Sequence, residues 1–280
     1  MRIGAPVYQY NNAEQWALRH IEHGYGAAYF PLNYKDDPQQ IEEYADAARR
    51  HGLVICEVGA WNNQLDKNPD IRRRNFSYAV GQLQLADRIG AACCVNIAGS
   101  LSDTWDGPHP DNLSDETFRH IVETVQRIID TAKPKNTYYT LEPMPWLFPR
   151  SSEDLSRLIR EINREAFAVH VDMCNMINSI DRVYRSGDLV LSFFREFGPL
   201  IRSVHAKDTV LEKRLTLHIG EAIPGEGLFD FDALFSQCAK LSPDLPVMAE
   251  HLKSQEEYLQ ATGFMQDKAA SLGISLVKGF

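Results

Sequence analysis

Hydrophobic and polar residues along this 280-residue chain alternate between two periods. Short, mainly apolar runs are typical of buried strands, and each is followed by a longer segment with the helical period of about 3.6 residues. The predicted strands cover residues 2–7, 27–31, 54–58, 92–97, 137–142, 167–172, 201–208 and 246–251. Strict alternation of strand and helix favours a parallel sheet that is covered by helices.

Proline, glycine and capping residues mark helix boundaries at the positions that the hydrophobic pattern predicts. Pro38 and Pro69 begin two of the predicted helices, and Gly52 and Gly90 follow their ends, which is the order that helix termini favour. The predicted helices cover residues 11–23, 38–50, 69–89, 114–133, a segment capped by Ser151 or Ser152, 188–197, 229–241 and 254–272. Residues 99–112 and 209–228 are predicted to be long loops.

Eight strand–helix units without a change of composition indicate one (β/α)₈ TIM barrel domain over residues 1–280, close to the ~250 residues typical of that architecture. A doubly wound sheet is the alternative architecture. It requires a Gly-x-Gly-x-x-Gly turn after an early strand, and the chain has no such turn there.

Composition narrows the class of protein. The net charge is −9, from 29 Lys and Arg against 38 Asp and Glu, which disfavours nucleic acid as a partner because phosphate binding requires clustered cations. No apolar run approaches the length of a membrane span, and the N-terminal residues do not resemble a signal peptide. The five cysteines form no Cys-x-x-Cys pair and are expected to be buried reduced thiols. We therefore expect a cytoplasmic protein; its oligomeric state is left open.

Acidic residues and a histidine mark the ends of the last four predicted strands. Glu142, Asp172, His205 and Glu250 lie at or near the ends of the fifth, sixth, seventh and eighth strands. A single glutamate at a strand end is usually solvated or salt-bridged, but all strand ends of a barrel meet at one rim. Three carboxylates and one imidazole form a hard site that suits Mn²⁺ or Mg²⁺ and also binds Co²⁺ or Zn²⁺. The sequence therefore predicts one divalent-metal site.

Further polar and aromatic residues near the strand ends are predicted to bind a substrate. These candidates are Glu57, Trp61, Asn96, Trp146, Asn175, Lys207 and His218. Trp61 and Trp146, with Trp105, are suited to form an apolar wall against the face of a sugar. Lys207 is expected to point inward and to bind a substrate oxygen or the Glu57 carboxylate. For each candidate the structural alternative is core packing, a turn or a surface position, and His170 is predicted to be a core histidine.

Five short motifs at successive strand ends resemble those of one known family. They are Leu141-Glu142-Pro143, His170-Val171-Asp172, Val204-His205-Ala206-Lys207-Asp208, Gly225-Glu226-Gly227 and Glu250-His251. In this order they resemble the xylose-isomerase-like barrels, a superfamily of sugar isomerases, ketose 3-epimerases and inosose dehydratases, with endonuclease IV as a distant member. The resemblance implies that Glu142, Asp172, His205 and Glu250 bind one divalent cation, commonly manganese, magnesium, cobalt or zinc. The chain departs from the ketose 3-epimerases at Asn175, where they have a histidine.

These observations predict a metal-dependent isomerase or epimerase for a small sugar or polyol-derived hydroxy-ketone. Proton transfer through an enediolate needs a base and an acid at the reacting carbon, and Glu142 and Glu250 are suited to both roles as well as to metal binding. A dehydratase that uses the same enediolate is the first alternative. An endonuclease IV-like hydrolase would need further histidines, and residues 27–31 and 92–98 contain none. A binding protein that keeps the metal site without turnover is the third.

Overall fold

The computed structural model describes residues 1–280, and its centre is a barrel of eight parallel strands. The barrel strands are β1 (Arg2–Gly4), β2 (Ala27–Tyr29), β3 (Val54–Gly59), β4 (Cys93–Asn96), β5 (Tyr139–Leu141), β6 (Phe167–Asp172), β7 (Ile201–Ala206) and β10 (Pro246–Ala249). They are ordered β1-β10-β7-β6-β5-β4-β3-β2. The amide of Gly26 donates to the carbonyl of Ile3 at 2.9 Å between β2 and β1, so the sheet is nearly closed. The predicted single-domain (β/α)₈ barrel is confirmed.

Nine α-helices surround the barrel. They are α1 (Ala13–Glu22), α2 (Pro38–Arg50), α3 (Pro69–Ile89), α4 (Asp115–Ala132), α5 (Ser152–Ile162), α6 (Ile180–Tyr184), α7 (Ser186–Phe197), α8 (Phe231–Cys238) and α9 (Gln255–Ser271). Asn12, Ser114, Ser151 and Ser254 each cap a helix by accepting a backbone N–H in its first turn. None of the helices combines the length and the apolar character that crossing a membrane requires.

Most of the hydrophobic core lies between the strands and the helices. Leu141 and Val204 belong to this outer layer, whereas the small group of Ala27, Cys56 and Met248 fills the inside of the barrel. All five cysteines are buried and free, which confirms the predicted thiols. Buried polar side chains also lie inside the barrel, among them Thr140, His170 and Ser203, so the interior below the rim is of mixed character.

Two segments were predicted wrongly. Residues 209–228 were expected to be a loop, but with Asp208 they contain an antiparallel hairpin of β8 (Asp208–Leu211) and β9 (Ile219–Ala222). The carboxylate of Asp208 orders the segment after the hairpin, since it accepts the amides of Gly225, Gly227 and Phe229 at 2.9 Å. The five-residue helix α6 was also missed, because so short a helix leaves almost no periodic signal.

The C-terminal segment 275–280 lies against the amino-terminal ends of the barrel strands. Its backbone amides donate to carbonyls that precede or begin those strands: Val277 to Met1 (3.1 Å), Gly279 to Tyr25 (3.0 Å) and Phe280 to His51 (2.9 Å). A Cβ atom on Gly26 would lie only 2.0 Å from the carbonyl oxygen of Val277, so a glycine is needed at this contact. The segment thus covers the rim of the barrel opposite to the predicted site.

Candidate active site

The structure brings the four predicted metal ligands together at the carboxyl-terminal rim. Glu142 directly follows β5, Asp172 ends β6, His205 lies near the end of β7, and Glu250 directly follows β10. One ligand atom from each of the four lies within 4.8 Å of those of the others. Glu142, Asp172 and His205 are buried, and the Glu250 side chain is 17% exposed, so one side of the cluster remains open to solvent.

Three atoms of this cluster are buried without a hydrogen-bond partner. They are Asp172 Oδ2, His205 Nδ1 and Glu250 Oε2. His205 Nδ1 lies 2.9 Å from Glu250 Oε2, but the two atoms lack the geometry of a hydrogen bond. Asp172 Oδ2 and Glu250 Oε2 have only the charge of Lys207 close by, at 2.8 and 2.9 Å, and a divalent cation would be a common partner for all three atoms. The donor set therefore fits a divalent metal ion.

Lys207 provides positive charge within the same cluster. Its Nζ lies 2.8 Å from Asp172 Oδ2 and 2.9 Å from Glu250 Oε2, and the side chain is 2% exposed. Lys207 points inward, as predicted. Of the two partners predicted for its ammonium group, the Glu57 carboxylate is not in contact with it, and a substrate oxygen stays a prediction. Asp172 and Glu250 take its ammonium group instead, because Glu57 contacts His205. Lys207 thus compensates part of the carboxylate charge in the protein alone.

The two glutamates differ in their protonation behaviour. Burial, and then the charge of Glu250, raise the pKa of Glu142 to about 7. Burial also acts to raise the pKa of Glu250, but the positive charges of His205 and Lys207 outweigh it and hold that pKa well below its usual value. Two carboxyl groups that line one cavity therefore have environments that separate their proton affinities.

Glu57 contacts the ring nitrogen of His205 that points away from the ligand cluster. Its Oε2 lies 3.2 Å from His205 Nε2, while His205 Nδ1 faces Glu250. Glu57 also forms a second compact group with His205 and His170, whose ligand atoms likewise lie within 4.8 Å. His170 Nδ1 contacts Ser203 Oγ at 2.6 Å, and burial holds the pKa of His170 well below its usual value, so this histidine is neutral. His170 is a core residue, as predicted.

The two predicted asparagines occupy different environments. Asn175 bridges two ligand candidates, because its Nδ2 donates to Glu142 Oε1 at 2.9 Å and its backbone N–H donates to Asp172 Oδ1 at 3.0 Å. Asn96 is fully buried, and its Oδ1 accepts the amides of Asn62 at 3.1 Å and Ile97 at 2.9 Å. In this structure Asn96 organises the loop that carries Trp61, and its contact with a substrate stays a prediction.

Two of the three tryptophans that were predicted to form an apolar wall, Trp61 and Trp105, line one side of the mouth. A cavity of about 250 Å³ is lined by Glu142 and Glu250 together with the apolar side chains of Trp61, Ile97, Trp105 and Met144. Trp146 is set back from this cavity, and its indole N–H donates to the carbonyl of Asp106 at 2.6 Å. His218 follows the turn of the β8–β9 hairpin, beyond the Leu211–Ile219 pair, and its Nδ1 contacts the carbonyl of Leu217. The proposed substrate contacts of Trp146 and His218 stay predictions.

Two polar residues at the site were missed from sequence. Glu221 on β9 lies 3.6 Å from Lys207 Nζ and 3.0 Å from His251 Nδ1. His251 Nδ1 in turn lies 3.2 Å from Lys207 Nζ, and its φ of 58° is uncommon for a residue other than glycine. Glu221 gave no signal because it fell within a predicted loop. His251 was quoted in a motif, but its position directly after Glu250 was not used to assign it to the site.

Solved structures with a similar fold belong to proteins that are named for different reactions. A probable 3-DHS dehydratase from Bacillus anthracis aligns with a TM-score of 0.72 at 14% identity over 96% of this chain and 98% of its own. The 3-keto-D-glucoside 4-epimerase of E. coli aligns with a TM-score of 0.69 at 17% identity, over 95% of this chain and 99% of its own. Endonuclease IV from Thermus thermophilus aligns with a TM-score of 0.71 at 15% identity, over 97% and 100%. Likeness at these identities shows the fold.

The family is identified by sequence. A search of curated proteins found no match. The family model described as "Xylose isomerase-like TIM barrel" matches residues 12–268, which is most of the chain and includes all four ligand candidates. The chain therefore belongs to the family of xylose isomerase-like TIM barrels.

Proposed function

We propose that this protein is a divalent-metal-dependent isomerase or epimerase that moves a proton between neighbouring carbons of a sugar or polyol-derived hydroxy-ketone. The observation that carries the proposal is the convergence of Glu142, Asp172, His205 and Glu250, with three of their buried atoms outside any hydrogen bond. Mn²⁺ or Mg²⁺ suits this oxygen-rich donor set best, and Co²⁺ or Zn²⁺ would also bind.

These four residues would hold the cation. When bound, it would supply Lewis-acid polarisation of the substrate carbonyl and stabilise negative charge on the neighbouring oxygens. Glu142 and Glu250 approach the cavity from β5 and β10, so a substrate between them would have a carboxyl group on each side. One removes the proton from carbon and the other returns it, which is the arrangement that enediolate chemistry requires.

Glu57 is proposed as a positioning residue. By accepting the Nε2 proton of His205, it would fix the tautomer that leaves Nδ1 free for the cation. Asn175 would play a similar part for Glu142, since it occupies one carboxylate oxygen and leaves the other available. Neither residue needs to touch the reacting carbon.

A dehydratase remains the second candidate, because the same proton abstraction expels water if a hydroxyl group lies on the next carbon. Glu142 and Glu250 both line the cavity, so either is placed to protonate that departing hydroxyl. We further propose a cytoplasmic location, which agrees with five free buried thiols. Phosphodiester hydrolysis is not proposed, since the second group of metal-binding side chains is fully buried and shares His205 with the first.

The test is to incubate the Mn²⁺-treated protein with a panel of keto-sugars and keto-polyols in D₂O, and then to quench, remove the metal and follow the protons next to the carbonyl by NMR. Proton transfer through an enediolate incorporates solvent deuterium at the reacting carbon, and the product identifies isomerisation, epimerisation or loss of water. Product without deuterium would indicate a hydride shift. Neither product nor deuterium across the panel, with metal bound, would rule out the proposed reaction.

A further inference from the structure

Two cavities on the Trp61 side of the barrel mouth share Trp61 and Glu250. A third cavity, of about 330 Å³, lies on the side of β9, shares Glu250 and His251 with the first, and is lined by Lys207 and Lys253. The proximal lobe is the 250 Å³ cavity that Glu142 and Glu250 both line. The distal lobe has a volume of about 470 Å³ and extends over the ends of β2 and β3. Its lining includes Tyr29, Phe30, Leu32, Tyr78, Gln82 and Glu57. A ligand that reaches Glu250 from one lobe can therefore continue into the other.

Trp61 forms the partition between the lobes, and its position is fixed by packing. A Cβ atom on Gly59 would lie 2.3 Å from the indole Nε1, so the ring can rest against this backbone only because residue 59 is a glycine. Gln82 holds that backbone from behind, since its Nε2 donates to the carbonyl of Gly59 at 2.8 Å and its Oε1 accepts the amide of Tyr34 at 2.9 Å. The Trp61 side chain is nevertheless 40% exposed, and it lines both lobes.

The chemistry of the distal lobe matches that of a neutral, hydroxyl-rich ring. Its wall is rich in aromatic residues, since Tyr29, Phe30, Trp61 and Tyr78 all line it. Its only ionisable acids are Glu57 and Glu250, and neither lobe is lined by a lysine or arginine. Aromatic rings pack against the apolar faces of sugars. A phosphate group in the distal lobe would lie beside the carboxylates of Glu57 and Glu250, and the lysine next to its wall, Lys35, is held over the Tyr34 and Tyr78 rings, with its Nζ 5.6 and 5.7 Å from their centroids.

Size favours a ligand that fills both lobes. Small-molecule sites usually have volumes of about 300–1,000 Å³. The proximal lobe alone, at 250 Å³, falls below that range, and the two lobes together fall within it. The reacting unit belongs in the proximal lobe, because only that lobe is lined by both Glu142 and Glu250.

We infer that the substrate is a neutral glycoside of two units, with its keto-sugar in the proximal lobe and a second sugar ring in the distal lobe. This inference rests on the proposed function for the reaction itself. It adds that the Trp61 partition and the Tyr78 wall select substrates with a second ring over free monosaccharides and sugar phosphates.

The test compares ligands that share one keto-sugar. Fructose, fructose 6-phosphate, and the two-ring ketoses turanose, isomaltulose and lactulose are titrated into the Mg²⁺-treated protein by calorimetry, and deuterium incorporation is followed in parallel samples. At least one two-ring ketose should bind about tenfold more tightly than fructose, because of the additional ring contacts. Fructose 6-phosphate should bind no more tightly than fructose.

Two variants test whether the preference for a two-ring ketose depends on the distal lobe. Tyr78→Ala removes one wall and Leu32→Trp fills the lobe, and each should reduce the preference for the two-ring ketose to less than about threefold. Tyr184→Ala is the matched control, since Tyr184 is 65% exposed and lies outside both lobes. It should keep the full preference.

The outcomes separate this inference from the proposed reaction. Equal affinity for fructose and all three two-ring ketoses, no binding of any neutral ketose, or a preference that survives both variants would overturn the inference. Deuterium incorporation into fructose alone would leave the reaction standing and remove the two-ring substrate. Selective binding of a two-ring ketose without any deuterium incorporation would leave the two-ring ligand standing and contradict the proposed reaction.

Discussion

The two rims of this barrel differ in whether their buried polar atoms form hydrogen bonds. At the carboxyl-terminal rim, buried charged side chains converge, and Asp172 Oδ2, His205 Nδ1 and Glu250 Oε2 have no hydrogen-bond partner. At the amino-terminal rim, the C-terminal segment 275–280 donates backbone amides to the carbonyls that precede or begin β1, β2 and β3. The carboxyl-terminal rim therefore leaves buried polar atoms without hydrogen bonds, whereas the amino-terminal rim provides hydrogen bonds to its backbone carbonyls.

Arg2 shows how completely the amino-terminal rim is paired. Its Nη1 donates to the carbonyl of Gly52 at 2.6 Å, and its Nε pairs with Asp244 at 2.8 Å. Barrels of this class keep chemistry at one rim and stability at the other. We therefore expect substitutions at the first rim to change activity and metal-dependent stability, and substitutions at the second to change stability alone.

The largest effect is expected from Glu250→Gln. This change keeps an oxygen ligand but removes the proton carrier, so turnover should fall by about 10²–10⁴ while the fold and much of the metal binding remain. Deuterium incorporation into a ketose measures turnover, and elemental analysis measures the bound metal. Activity within a factor of ten of the wild type would contradict the proposed role of Glu250 in proton transfer.

The second prediction separates the two rims by metal dependence. Lys207→Met leaves the carboxylates of Asp172 and Glu250 buried without their cation, which should cost about 3–5 kcal/mol of unfolding free energy in the metal-free protein. Addition of Mn²⁺ should recover much of that loss, because the ion supplies the missing charge. Urea unfolding with and without metal measures both values.

Lys240→Met serves as the control for that experiment, since Lys240 is an exposed residue that follows helix α8 and precedes β10, at the opposite end of that strand from Glu250, and it forms no ion pair. It should change stability little in either condition. An equal loss in Lys207→Met with and without Mn²⁺ would show that the metal and the lysine do not share one charge cluster.

At the opposite rim, Gly26→Ala should destabilise without affecting chemistry. Its Cβ would meet the carbonyl of Val277 at 2.0 Å, and the displacement of the C-terminal segment should cost about 1–3 kcal/mol. Gly263→Ala is the matched control, because its Cβ meets nothing within 4 Å on helix α9, and it should stabilise by about 0.5–1 kcal/mol. Both variants should keep the wild-type kcat; a loss in Gly26→Ala would show that the rims are coupled.

The smallest effect concerns pH at the amino-terminal rim. His51 Nε2 contacts Glu14 Oε1 at 2.8 Å, and this bond raises the pKa of His51 above its usual value. Because the pKa of His51 is higher in the folded protein than in the unfolded chain, protonated His51 stabilises the fold. This stabilisation is complete at pH values below the unfolded-state pKa of about 6.5, and it is lost as the pH rises through the folded-state pKa. Between pH 6 and 8, Tm of the wild type should fall by up to about 2 °C relative to His51→Gln. Parallel pH profiles of the two proteins would refute this contribution.

The sequence was most informative where local chemistry repeats. The strand–helix alternation gave all eight barrel strands, and the bounds of Pro38–Arg50, Pro69–Ile89 and Phe167–Asp172 match the prediction. Caps such as Asn12 and the left-handed Gly90 explain this accuracy, because both act within one helical turn. The convergence of the four ligand candidates followed from topology, since strand ends of a barrel share one rim.

Other features depend on contacts that sequence spacing does not report. The segment after the β8–β9 hairpin is ordered by the carboxylate of Asp208, which accepts amides 17–21 residues away. Lys207 was expected beside Glu57, but the choice between acids depends on side-chain distances at the rim. The distal lobe likewise joins residues from the segments after β2 and β3 and from helix α3, and no motif connects them.

The most direct test of the central claim is a titration of the metal-free protein with Mn²⁺, followed by calorimetry and by thermal unfolding. We predict one ion per chain and a gain in stability that grows with free metal, by about 2.7 kcal/mol at 100 times Kd. Asp172→Asn should weaken binding sharply, because it removes one of the three negative charges among the four ligand candidates. Absence of binding, or an unchanged Tm across the titration, would contradict a metal site at this rim.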